Sequence, residues 1–164
     1  MSELIPIVNL DDEIIGYKAR KEISSEDIYR VSALWVENSK WEALLAERGF
    51  MKSHSPWKWW PAVAGTVGKW ESYEENIYKE AREELWITWY SFKELVKLYK
   101  NWPKYFYFCQ WYECVIDRGI SEFIIEYPQV ERARWFTRAE LQNIVDNNPE
   151  LLTGLEFIKA WLKK

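Results

Sequence analysis

The stretch GTVGKWESYEENIYKEAREELWI, residues 65–87, decides how the rest of the chain is read. Ser72, followed three residues later by Glu75, forms a capping box that sets a helix start at Tyr73. Ile77, Ala81 and Leu85 recur at helical spacing as one apolar stripe, so the helix runs to about Leu85 and docks on a sheet. Glu80, Glu83 and Glu84 lie three and four residues apart and project together. Like charges so placed repel one another unless something positive sits among them. A solvated face with Lys69 and Lys79 as partners is one solution, and a hard divalent cation is the other. With no His or Cys nearby, an all-oxygen donor set points to magnesium or manganese rather than zinc.

The wider spacing separates these readings. The segment resembles the Nudix box: Gly, five residues, Glu, seven residues, Arg-Glu, an apolar residue, any residue, Glu-Glu, any residue, Gly, apolar. Gly65, Glu71, Glu80, Ala81, Glu83, Glu84 and Ile87 meet seven of its nine fixed positions in register. Lys79 stands where the pattern has arginine, keeping the charge without the planar fork. Trp86 stands where the pattern has the glycine that ends the helix, a left-handed position that penalises a bulky side chain by about 1–2 kcal/mol.

Around this segment, 164 residues suit one domain over 1–164, with residues 1–28 as an N-terminal hairpin extension. A net charge of −4 gives no general attraction to nucleic acid or to membranes. No apolar run reaches the length of a membrane span, and the first residues, MSELIPIVNLDDE, lack the layout of a secretion signal. Cys109 and Cys114, five apart on one strand, point to opposite faces and do not bridge, as expected of a reduced cytoplasmic protein.

Composition is unusual in one respect: 12 tryptophans against 6 glycines. Trp35, Trp59, Trp111, Trp135 and Trp161 fall inside strand or helix patterns and read as core, whereas Trp41, Trp57, Trp70, Trp86 and Trp89 stand where turn chemistry calls for glycine. Such a chain results if UGA means glycine in the source and the gene is translated with another table. As true tryptophans these residues imply strained turns and reduced stability.

In chain order, Ile5–Leu10 and Ile14–Ala19 form a hairpin around Asp11-Asp12-Glu13, and Ser24–Asp27 is a helix start or single turn. Tyr29–Glu37 is a buried central strand with Ala43–Ala46 as its antiparallel partner. Trp59–Val67 is a strand feeding the box. Beyond the helix follow Ile87–Lys100 as a long strand or bent pair, the aromatic strand Lys104–Ile116, a short strand at Phe123–Ile125 and a last strand at Val130–Phe136. Thr137 and Glu140 cap a helix to about Val145, and a final helix over Pro149–Leu162 presents Leu151, Leu155, Ile158 and Leu162 on one face. The fold class is α/β, an α/β/α sandwich around a mixed sheet.

The opening LDDEIIGYKARKEI with Tyr29-Arg30-Val31 resembles the Nudix branch containing isopentenyl-diphosphate isomerase and its hydrolase-like relatives. Those isomerases carry a cysteine acid/base and a metal-binding histidine near Val63–Val67, where this chain has Ala64 and Thr66, so isomerisation is disfavoured. What the resemblance implies instead is magnesium-dependent hydrolysis of a diphosphate linked to another group, in a nucleoside-diphosphate or related small-molecule pyrophosphate. It assigns Glu83 and Glu84 as metal ligands, Glu80 as a third ligand or the base, the Ala64 or Gly65 carbonyl as completing the shell, and Glu71 as a brace for Lys79. Glu126 or Glu131 could serve as an outside acid, Gln129 occupying its expected place, although solvated surface glutamates explain both. Arg48 and Lys52 could grip phosphate, and Tyr105, Tyr107, Trp111 and Tyr112 could stack on a base, although core positions suit most of these aromatics. A catalytically silent binding module and a structural domain using exposed tryptophans as an adhesive face are the non-enzymatic alternatives, and a homodimer stays open.

Overall fold

The computed structural model describes residues 3–50, 55–102, 104–125, 127–128 and 130–164. Strands β1 (Leu4–Val8) and β2 (Ile14–Ala19) form the opening hairpin, followed by a 3-10 turn at Arg20–Glu22. The ten-residue β3 (Ile28–Glu37) is the axis of the sheet. It pairs antiparallel with β1, with β4 (Ala43–Arg48) and with β6 (Val63–Thr66), and parallel with β8 (Tyr105–Val115). Strand β5 (Trp59–Pro61) and β9 (Val130–Phe136) flank β4, and β7 (Lys93–Trp102) borders β8.

Alternate residues of β3 look to opposite sides. Leu34 and Val36 face helix α1 (Tyr73–Leu85), whose buried stripe is Ile77, Ala81 and Leu85. Ala33 and Trp35 face α2 (Arg138–Asn147) and α3 (Leu155–Leu162), through Leu141, Phe157, Ile158 and Trp161. The result is an α/β/α sandwich around a mixed sheet. Cys109 and Cys114 are free, buried and divided between the two layers.

Four segments differ from the sequence reading. The strand expected over Trp59–Val67 breaks at Ala62, because β5 pairs with β4 whereas β6 pairs with β3. Residues 86–92 are a loop, tied down where the Phe92 N–H donates to the Tyr78 hydroxyl at 3.0 Å, so β7 starts only at Lys93. A 3-10 turn at Ile120–Glu122 stands just before the expected strand at Phe123–Ile125, which is not formed. The last helix is interrupted: Pro149–Leu151 is a 3-10 turn, Gly154 is left-handed at φ 67°, and α3 then buries Phe157, Ile158 and Trp161 while Leu151 is exposed.

The opening hairpin is fastened through its turn. Asp12, itself left-handed at φ 62°, accepts from Arg30 Nε at 2.7 Å, Lys97 Nζ at 2.5 Å and the Tyr73 hydroxyl at 3.1 Å, joining the turn to β3, β7 and the start of α1. Burial pushes the Asp12 carboxyl up, but hydrogen bonds from Lys97 and Arg30 outweigh it and leave it below its ordinary value. A lowered folded-state pKa means stability that is present above the unfolded carboxylate pKa and lost as pH falls through the folded one. Asp12→Ala is therefore expected to destabilise the protein at neutral pH by about 1.5–3 kcal/mol and to flatten its loss of stability in acid, read by urea denaturation from pH 7 to pH 3.

Candidate functional site

Helix α1 starts where the capping box sets it: Ser72 Oγ accepts from the Glu75 N–H at 3.1 Å and Glu75 returns a bond to the Ser72 N–H at 2.8 Å. That start fixes the rotation of the helix, with Ile77, Ala81 and Leu85 under it and Glu80 at the edge of the buried stripe. Glu80 lies directly over Gly65 of β6. A Cβ placed on Gly65 would sit 2.3 Å from Glu80 Cγ and Cδ and 2.6 Å from its Oε1, so only glycine lets the carboxylate occupy this place.

Glu71 is held from three sides. Its Oε1 accepts from Lys79 Nζ at 2.6 Å, and its Oε2 accepts from the Gly68 N–H at 2.9 Å and from Asn76 Nδ2 at 2.8 Å. Burial pushes the Glu71 carboxyl up, yet Lys79, Gly68 and Asn76 together hold it below the usual range. Lys79 also approaches Glu80 Oε1 at 3.5 Å. The two-point grip that a guanidinium would supply is thus divided between a lysine and an asparagine.

Asn76 is the residue that sequence reasoning missed. It is fully buried, donates to the Thr66 carbonyl at 3.1 Å as well as to Glu71, and accepts from the Ser32 hydroxyl. A polar residue one position before the apolar stripe and four before Glu80 was the available signal.

Glu80 is pushed above the ordinary carboxylate range, chiefly by burial, with Lys79 opposing and Glu83 and Glu71 adding to the push. Glu83 is exposed beside it. Glu84 lies further round the helix and lines a narrow cleft with Arg48, Trp60, Ala62 and Val130. Glu80 thus stands near Glu83, and Glu84, four residues on from Glu80, lines the cleft beside Arg48. Among the described residues no three acidic, histidine or cysteine side chains converge into a ready-made ion cage.

This donor set nevertheless suits a hard cation. The donors are all oxygens, the half-buried Glu80 carboxylate has Glu83 and Glu71 near it, and Lys79 sits closer to Glu71 at 2.6 Å than to Glu80 at 3.5 Å. Magnesium is ordinarily held by one or two carboxylates with waters and substrate phosphate oxygens, which requires no closed cage.

Arg48 is half-buried with its guanidinium 4.5 Å from the Trp60 ring centre, and burial lowers its pKa against the opposing pull of Glu84 and Tyr107. Tyr107 faces Tyr29 at 5.5 Å between ring centres. Of the other aromatics, Trp111 and Tyr112 are core, whereas Tyr105 is half-buried. One Glu131 oxygen, Oε2, is buried without a hydrogen-bond partner. Lys52, His54, Glu126 and Gln129 lie outside the described residues.

An uncharacterised Nudix hydrolase of Streptomyces coelicolor is 24% identical over 97% of this chain and 90% of its own length. A Deinococcus radiodurans crystal structure superposes with a TM-score of 0.79 at 24% identity, covering 98% of both chains. The MutT protein of Methanosarcina mazei superposes with a TM-score of 0.66 at 18% identity, over 83% of this chain and 94% of that one. No described helix is long and apolar enough to cross a membrane. A family model described as NUDIX domain matches residues 28–155, taking in β3, Gly65 and the whole of α1, and this chain belongs to the Nudix family of pyrophosphohydrolases.

Proposed function

We infer that this protein is a magnesium-dependent hydrolase that cleaves the diphosphate bridge of a nucleoside-diphosphate-linked or related organic pyrophosphate, with manganese as the alternative metal. The observation that carries this reading is the Glu80 carboxylate seated over Gly65 beside Glu83, with Glu71 clamped by Lys79 and Asn76. Glu83 and Glu84 are assigned as ligands, Glu80 as a third ligand or the base, and the Gly65 carbonyl as the backbone donor. Bound metal would neutralise phosphate oxygens and lower the pKa of a coordinated water. The chain's own part is to hold the acidic groups, to accept the water proton at a carboxylate as oxygen attacks phosphorus and the bridging P–O bond breaks, and to grip the leaving phosphate from Arg48. The acid/base cysteine of the isomerases has no counterpart at Ala64 or Thr66, so isomerisation is disfavoured.

A panel of nucleoside diphosphate compounds and other organic pyrophosphates, assayed for released phosphate products with and without magnesium, tests the reading. Metal-dependent turnover of at least one member is expected. Binding without turnover across the whole panel would replace it with a silent binding module. Within an active enzyme, Arg48→Ala is expected to raise KM about 10-fold or more with a smaller change in kcat, since a charged hydrogen bond to phosphate is worth roughly 1.5–3 kcal/mol. An unchanged KM would take Arg48 out of the substrate site.

A further inference from the structure

Seven described residues have left-handed backbone, and only Gly154 among them is glycine. Four are tryptophan: Trp41 at φ 61°, Trp57 at 66°, Trp86 at 53° and Trp89 at 68°. L-residues reach this region against a clash between Cβ and the carbonyl oxygen, and a bulky side chain there is a genuine outlier. Four outliers of one residue type, spread over three connecting segments, call for a single cause.

The left-handed tryptophans are also all exposed. Trp35, Trp59, Trp111 and Trp161 are 8% exposed or less, whereas the four left-handed ones range from 54% at Trp86 to 99% at Trp89. The core indoles fill space that nothing smaller would fill. Of the exposed four, Trp57 stacks on Phe50 with ring centres 5.9 Å apart, and Trp89 stands almost wholly in solvent.

At three of the four positions a backbone hydrogen bond defines a turn that has use for a residue without a side chain. Trp41 ends the loop Ser39-Lys40-Trp41 between β3 and β4, with its N–H on the Asn38 carbonyl at 3.0 Å. In three-residue hairpin loops of this kind the last position is left-handed and favours glycine. The first hairpin repeats the pattern, Asp12 N–H to the Asn9 carbonyl at 3.1 Å, but fills the position with aspartate, which tolerates it. Trp86 is the left-handed cap of α1, with its N–H on the Arg82 carbonyl at 3.2 Å, and Trp57 donates to the Arg48 carbonyl at 3.1 Å where β4 turns toward β5.

Composition agrees independently. Glycine averages about 7% of residues, roughly 11 or 12 in a chain of this length. This chain has 6, against 12 tryptophans, and exchanging the four residues would give ten and eight.

We propose that in the cells carrying this gene positions 41, 57, 86 and 89 are glycine, their codon being UGA translated as glycine, and that tryptophan appears there only when UGA is read by another table. Trp70 is exposed as well, but its backbone is not left-handed and it is not included.

Peptide masses of the protein isolated from its own cells decide the matter. Glycine is expected at 41, 57, 86 and 89 with tryptophan at 35, 59, 111 and 161. Indole-bearing masses at the first four overturn the proposal. A second, independent test compares the chain as written with the variant Trp41→Gly, Trp57→Gly, Trp86→Gly, Trp89→Gly, and with the same four positions changed to alanine. Relief of left-handed strain, less the unfolded-state freedom of glycine, is expected to raise the folding equilibrium constant roughly two- to tenfold per site for glycine only. Equal or lower stability of the glycine variant, or an equal gain with alanine, also overturns it.

Discussion

Glu83→Gln is expected to lower metal-dependent turnover by roughly 10²–10³-fold while leaving the folded protein intact. Metal-ion charge stabilisation at a phosphoryl centre is worth several kcal/mol, and each 1.36 kcal/mol is tenfold in rate. Glu83 is exposed and packs in neither hydrophobic layer, so its carboxylate can be neutralised without opening a cavity. The same replacement at Glu74, exposed in the first turn of α1, is the control for a general loss of negative charge and should leave turnover within about twofold. Steady-state kinetics with magnesium titration at each variant separates the causes. A lost ligand raises the magnesium concentration needed for half-maximal rate, whereas a lost proton acceptor lowers kcat at saturating metal. Unchanged turnover of Glu83→Gln would remove this residue from the site.

How much of this was legible beforehand depends on whether the signal is local. The bounds of α1 follow from Ser72, Glu75 and an apolar stripe within a single helix, and the structure places them at Tyr73 and Leu85. The tryptophans at positions 41, 57, 86 and 89 were equally legible, because a tight turn announces its left-handed position in a few residues. Trp70 shows the limit of that signal: standing before Glu71 ahead of α1, it lies in a turn closed by the Glu71 N–H on the Gly68 carbonyl, without left-handed backbone.

What failed depended on distant partners. The run from Ile87 onward reads as strand by composition, but Phe92 is fixed by the Tyr78 hydroxyl from the outer side of α1, and the ladder with β8 starts only at Lys93. Asn76 looks like a polar interruption in the sequence, yet it is the hub between Ser32 on β3, Thr66 at the end of β6 and Glu71 in the loop. Helical spacing groups Glu84 with Glu80 and Glu83 but is silent on its neighbour from the sheet, Arg48 on β4, where the register with β9 shifts between Glu47 and Arg48.

Gly65→Ala offers a second large effect, expected to cut turnover by about 10²-fold at little cost in stability. The added methyl group would occupy the place of the Glu80 carboxylate, with 2.3 Å to Cγ and Cδ. What must yield is the far end of a flexible side chain rather than a backbone, so the fold accommodates the change by displacing Glu80, and the melting temperature should move by only a few degrees. A displacement of about an ångström in an acidic group beside the reacting phosphate is enough for a loss of this size. The double variant then tests the route. If Gly65 matters only because it admits Glu80, adding Gly65→Ala to Glu80→Gln should cost little more than Glu80→Gln alone, since residues acting through one contact are strongly non-additive. Multiplying losses would mean that the methyl group acts on something else, the β6 carbonyl geometry being the nearest candidate, and would detach Glu80 from the glycine beneath it.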